Sequence, residues 1–294
     1  MRLRACRLLS DREQAMDMAF ATIGRASLVK AMWSVSGAAK EAVLPGVVAP
    51  DSHVEVVFHL GQPWRMRREG SSAWQKQPAS FVYAQSHGAL RFEAEGHVSL
   101  IALRLSPVVA MAVLGRSPAD LWNEPVALRD LVGPQADLLA EQLTKEPGHR
   151  RFALLEKWVE RRLTNWDSSN WNAQRLFDQV MWNASAKSLD TLSKQLGWST
   201  RGLRRVFAQS AGLSPKEVQL AGRHLDACAL LRERPDLEVT EIAGRVDFYD
   251  HAAFTHSFFR RLGMTPSQFR SESHAFFERR PECGPKITSG REPS

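Results

Sequence analysis

The sequence predicts an α+β chain: a small β-barrel with appended helices, then an all-α domain of two helix-turn-helix motifs joined by a long helix. Three observations carry this prediction. Short apolar–polar alternations fill roughly 28–105, apolar residues recur at three- and four-residue spacing after Pro107, and the C-terminal third contains an internal repeat.

The alternating segments are 28–35, 54–60, 80–84, 90–94 and 98–105, separated by Gly, Pro and Ser breaks, and they read as the strands of a small barrel or sandwich. After Pro107 the period changes. Val108, Met111, Ala112 and Leu114, then Leu138, Leu139 and Leu143, then Phe152, Leu155, Val159 and Leu163 mark helices. Their apolar faces suit either a dimer interface or a cover for the barrel. The polar, turn-rich stretch TNWDSSNWN at 164–172 is the expected domain boundary. The resulting division is an N-terminal extension at 1–27, a first domain at 28–165, a helical domain at 172–275 and a tail at 281–294 without periodicity, expected to be disordered.

Composition narrows the class. The chain has 294 residues, long enough for two ordinary domains, and 39 Lys+Arg against 32 Asp+Glu gives 39 − 32 = +7. This modest excess suggests an anionic partner without locating it. The longest apolar run, 98–114, is interrupted by Arg104 and Pro107, so no membrane span is expected. The N-terminus MRLRACRLLSDREQAM has no apolar core of the kind a secretory signal needs. Cys6, Cys228 and Cys283 are scattered and odd in number, which argues against a disulfide framework and a four-cysteine zinc site, and favours a reduced, cytoplasmic setting.

The repeat pairs Phe207 with Phe258, Gly212 with Gly263 and Pro215 with Pro266, each 51 residues apart. In the first copy Leu189, Leu192 and Leu196 share one helix face, Gly197 supplies the left-handed residue of a sharp stop, and Ser199 caps the next helix. Leu203, Val206 and Phe207 turn that helix's apolar stripe back onto the first. In the second copy Val239, Ile242, Ala243 and Val246 form the first helix, and Asp250 caps the second, whose inner face is Phe254, Ser257 and Phe258. Asp247 stands where the first copy has Gly197, and Asp tolerates the left-handed conformation. Each unit closes with Gly-Leu-Ser-Pro or Gly-Met-Thr-Pro, in which glycine ends one helix, the hydroxyl residue caps the next and proline takes its first position. Two short helices joined by a tight turn make a helix-turn-helix.

Geometry then points to double-stranded DNA. A helix from Pro215 to about Arg234 spans about 30 Å, close to the roughly 34 Å between successive major grooves on one face of the duplex. In the first recognition helix Arg201, Arg204 and Arg205 lie opposite the apolar stripe, with Ser199 and Thr200 at its start, and they are the leading DNA-binding residues. Arg205 is also suited to a phosphate or an acidic neighbour, and Trp198 to the core. In the second helix the corresponding outer positions are Tyr249, His251, Ala252, Thr255 and His256, which carry less charge. An arginine-rich helix face is most often merely solvated, and here the duplicated motif tips the reading.

The second copy's ending, Gly263-Met264-Thr265-Pro266-Ser267-Gln268-Phe269-Arg270, resembles the most recognisable stretch of the AraC/XylS family of transcription regulators. Arg223, Ala227 and Leu230-Leu231 in the bridging element are similar to the family pattern. The resemblance covers roughly 172–275 and departs at Ala253 and His256, where the family usually has His and Arg, and at Asp247 in place of a turn glycine. It implies a DNA-binding regulator of promoter sites that occupies two adjacent major grooves, with RNA polymerase as a further partner. More loosely, 28–165 resembles the cupin-like sensor domains of this family, most of all around 43–61, which implies a small-molecule effector and a homodimer. The mechanism expected is that effector binding within 28–165 changes how that domain packs on 172–275.

Other chemistry is thinly represented. His53, Glu55 and His59 share one face of a strand, but they form no recognised metal signature and read as ordinary strand residues, so no metal or cofactor is expected. Trp33, Trp64, Trp74 and Trp122 suit either a ligand pocket or the core. No nucleophile elbow, phosphate-binding loop or His-Glu-x-x-His helix is present, and the dispersed cysteines cannot build a DNA-repair methyl acceptor, so no catalytic residues are expected. The competing reading is a ligand-independent DNA-binding protein whose barrel only dimerises.

Overall fold

The computed structural model describes residues 2–9, 16–22, 28–43, 47–84, 87–182 and 188–278. Its N-terminal half is one curled antiparallel sheet. Strands β1 (Arg2–Leu9), β2 (Met16–Thr22), β3 (Val29–Val43), β4 (Val54–His59), β5 (Arg65–Arg68), β6 (Gln75–Lys76), β7 (Ser80–Ala84), β8 (Leu90–Leu105) and β9 (Val126–Ala127) follow in sequence. The spatial order is β1-β2-β3-β8-β4-β7-β9, with β5 on β8 and β6 on β5.

β8 organises the sheet. One edge pairs with β3 along nearly its whole length, while the other pairs with β5 at Leu90–Glu93 and with β4 at Leu100–Leu105. The described strands form a half-barrel, in the order β1 to β9, where the sequence suggested a small barrel or a sandwich. Three further differences follow from pairing. The segments 90–94 and 98–105 are one strand, because Gly96 at φ 67° lets the chain bend without leaving the ladder. β3 is longer than the alternation indicated. The region read as an N-terminal extension contributes β1 and β2: β2 pairs with β3 and β1 with β2, a pairing that the charge-rich local sequence does not announce.

Both faces of the central strands are covered, which follows from side chains alternating on a pleated backbone. Val54, Val56 and Phe58 of β4, with Ile101 and Leu103 of β8, pack against the helices α1 (Pro107–Leu114), α2 (Leu128–Val132), α3 (Gln135–Lys145) and α4 (Gly148–Arg162). Leu139, Leu143, Phe152, Leu155 and Val159 are all buried there, so these helix faces cover the sheet and are not available as a dimer surface; Leu138 alone of the set is 59% exposed. The opposite sheet face holds Val57, Trp64, Phe81, Tyr83 and Leu100 in a second core.

The C-terminal half is helical: α5 (Ser168–Trp182), α6 (Leu189–Gln195), α7 (Thr200–Ser210), α8 (Pro215–Glu233), α9 (Val239–Arg245), α10 (His251–Leu262) and α11 (Pro266–Glu278). α5, α6, α7 and the start of α8 share one core around Phe177, Leu192, Leu203 and Phe207. The end of α8 with α9, α10 and α11 shares another around Leu231, Ile242, Phe254, Phe258 and Phe269. The expected tail at 281–294 lies outside the described residues.

The halves are bound by polar as well as apolar contacts. Lys30 Nζ meets Asp178 of α5 at 2.8 Å, Ser106 donates to Gln174, and the His53 ring stands edge-on to Phe177 at 5.9 Å. Arg91 joins Glu272 of α11 at 2.5 Å, and the amides of Gly88 and Ala89 donate to the carbonyls of Arg261 and Leu262 at 2.6 and 2.8 Å.

Candidate nucleic-acid interface

α6 and α7 form the first helix pair. Gly197 turns the chain at φ 70°, and Ser199 Oγ accepts from the Gly202 amide at 3.0 Å to start α7. The α9–α10 pair repeats this build with one extra turn residue: Asp247 is left-handed at φ 59°, and Asp250 accepts from the Ala253 amide at 2.7 Å. The side chains that start each helix are therefore partly committed to structure. Thr200 Oγ1 donates to Asp190 at 2.8 Å, tying α7 to α6.

Between the pairs, α8 runs for 19 residues from a capping box in which Ser214 and Glu217 satisfy each other's amides. Arg223 of α8 donates to the Asp247 carbonyl at 3.2 Å, linking the bridge to the turn of the second pair. His224 lies beneath α10, its Nε2 3.2 Å from Ser257 Oγ, and burial, with the charges of Arg261 and Arg223, pushes it down to about 3.

The outward residues of α7 and α10 lie on the faces expected from the sequence, except that Tyr249 precedes α10 and belongs to the turn before its cap, Asp250. Arg201, Arg204 and Arg205 are exposed and have no partner among the described residues, because Leu203 and Phe207 occupy the inner face of α7 completely. Tyr249, His251, Ala252 and His256 are exposed and Thr255 is half-buried, its hydroxyl 3.4 Å from His251 Nε2. Two cations escaped the sequence reading. Lys216 joins Arg204 and Arg223 along an open groove of about 760 Å³ beside α8, and Arg260 lies exposed in the last turn of α10. Lys216 was findable, since it follows Pro215 at the exposed start of the bridge.

The remaining candidates separate. His53 bonds to Asp51, Glu55 accepts from Arg104 and from Trp33 Nε1, and His59 pairs with Gln77 at 2.8 Å. Each thus has its own partner on the sheet. Trp64 is buried beside His59 and Phe92, Trp74 lies under the guanidinium groups of Arg65 and Arg67, and Trp122 lines the joint between the halves. They form no common pocket.

Comparison with known proteins addresses the same region. Residues 192–272 match the model of a helix-turn-helix domain, and 26–127 match a domain of unknown function, DUF6597. The probable transcription factor PqrA of Proteus vulgaris is 30% identical over 93 residues, which are 30% of this chain and 75% of that protein. The chain belongs to the AraC/XylS family. The Msm operon regulatory protein of Streptococcus mutans is 31% identical over 125 residues, 41% of this chain and 44% of that one. The HTH-type transcriptional regulator ExsA of Pseudomonas aeruginosa is 25% identical over 213 residues, 67% of this chain and 69% of its own length. The chain thus spans under half of the Streptococcus relative. The family-like ending from Gly263 to Arg270 lies within the matched helix-turn-helix segment.

Proposed function

We propose that this AraC/XylS-family chain is a sequence-specific, cytoplasmic DNA-binding transcription regulator that reads two adjacent major grooves with α7 and α10. The observation that carries this is the set of partnerless arginines on α7, set on a helix pair that α8 connects to a second pair of the same build. At about 1.5 Å per residue, the 19 residues of α8 span about 28 Å, near the groove repeat. Arg201, Arg204 and Arg205 donate to guanine edges or phosphates, while Tyr249, His251, Ala252, Thr255 and His256 contribute contacts of lower charge. The half-barrel senses an effector or dimerises, and RNA polymerase is the expected protein partner. No step of this function is catalytic.

Selection of bound sites from a random DNA pool with the full-length chain tests the reading. An enriched motif in two parts, about one helical turn apart, is the expected outcome. A pool without enrichment overturns it.

A further inference from the structure

The two helix pairs share a build but not an outer surface. The repeat offset of 51 places Arg201 on Ala252 (252 − 201), Arg204 on Thr255 (255 − 204), Arg205 on His256 (256 − 205) and Ala208 on Phe259 (259 − 208). Exposure agrees with this register: all four positions are exposed on α7, as are Ala252, His256 and Phe259 on α10, where Thr255 is half-buried. Where α7 carries three arginines and an alanine, α10 therefore carries an alanine, a threonine, a histidine and a phenylalanine.

Phe259 stands out among these. Of the large apolar side chains left exposed among the described residues, it is the one within a recognition helix, at 50%. Its ring has no place in the core below, which Phe254 and Phe258 fill from the same helix. At 3.6 residues per turn Ala252, Thr255 and Phe259 fall within about 60° of one another, forming a stripe along α10. Thr255 Oγ1 lies 3.4 Å from His251 Nε2, so its polar end has a partner inside the helix. The residues of α10 that border the half-barrel are His256, Ser257, Arg260 and Arg261, and that joint leaves the stripe uncovered.

The edges of bases in the major groove are polar with one exception, the C5 methyl of thymine, and the side chains that meet it well are Ala, Thr through its methyl, and Phe. Against a guanine, adenine or cytosine edge the same stripe would strip water from donors and acceptors and return no hydrogen bond. α7 has the reverse chemistry, since its arginines match the two acceptors of guanine.

We propose that α10 reads thymine methyl groups through Ala252, Thr255 and Phe259, so that the chain recognises a site of two unlike halves, guanine-containing under α7 and thymine-rich under α10. The proposal rests on the DNA-reading function above and adds the base and the chemical group that the second helix recognises.

The test is titration of the full-length chain with its selected site and with duplexes in which each thymine in turn is replaced by deoxyuridine, which pairs alike but lacks the C5 methyl. The half in which base preference is unchanged by Arg201→Ala is the one under α10. In that half deoxyuridine should weaken binding about fourfold at each contacted thymine, the worth of one buried methyl. Phe259→Ala should weaken the thymine site by at least that factor and abolish the deoxyuridine penalty at one position, because the two changes remove the same contact. Circular dichroism should show an intact fold, as expected for an exposed side chain, and the deoxyuridine series on wild type needs no variant. A half-site under α10 without thymine, equal affinity of wild type for thymine and deoxyuridine there, or a penalty that Phe259→Ala leaves unchanged at every position overturns the proposal while the two-groove reading stands. A chain that selects no site overturns that reading and this proposal with it.

Discussion

Arg201 and Arg204 are the residues on which the proposed DNA reading would depend most directly. Both are exposed and neither is neutralised among the described residues, which leaves their charge available to a duplex. Arg201→Ala or Arg204→Ala should cost about 1–3 kcal/mol of binding to the selected site and relax preference at one base pair, as measured by titration against single-base variants. A loss of equal size on every sequence would make that arginine a phosphate contact. Arg223 shows the opposite use of the same side chain. Its bond to the Asp247 carbonyl spends it on holding a turn, although sequence alone gives it the same chemistry as Arg201.

At the scale of elements, the glycines that end helices do different work. Gly197 and Gly212 are both left-handed, at φ 70° and 63°. A Cβ at Gly197 would meet nothing within 4 Å, whereas one at Gly212 would lie 2.8 Å from the backbone nitrogen of Ala119. Gly197→Ala should therefore cost only the backbone strain of an L-residue in that region, about 1–2 kcal/mol. Gly212→Ala should cost more and loosen the joint between the halves, seen as a larger drop in melting temperature and faster proteolysis near 115–120. Equal costs for the two substitutions would show that the Ala119 contact adds nothing to stability. α8 makes a related point: the repeat locates both of its ends, but the spacing proposed for it depends on the cores that its two ends share with the flanking helices.

For the whole molecule, burial of histidines makes stability depend on pH. His224 is held near 3 in the folded chain against an ordinary value of 6.5, mainly by desolvation. Between these values the unfolded chain binds a proton that the folded chain does not, so stability falls as pH drops below about 6.5 toward 3. Each unit of that difference corresponds to about 1.4 kcal/mol at most. His59 and His87 are pushed down by burial as well and add to the same trend. The melting temperature should fall from pH 7 to pH 5, and by less in His224→Gln; an equal fall in both would remove His224 as a cause.

The sequence by itself determined the helical half, because a 51-residue repeat with caps, left-handed turn residues and apolar stripes is local information. Ser199, Asp247 and Asp250 do in the structure what their side chains predict. The outward set on α7 was legible for the same reason, since Leu203 and Phe207 fix which face points in. Tertiary structure decided the rest. Strand pairing joined 90–94 to 98–105 and drew 2–9 and 16–22 into the sheet, and packing turned the faces at Leu139 and Phe152 into a cover for it. The joint between the halves was invisible beforehand: Arg261 and Trp122 lie 139 residues apart (261 − 122), and no local periodicity encodes that they line one cavity. Local propensity is written in neighbouring residues, whereas burial and charge compensation depend on which distant groups the fold brings together.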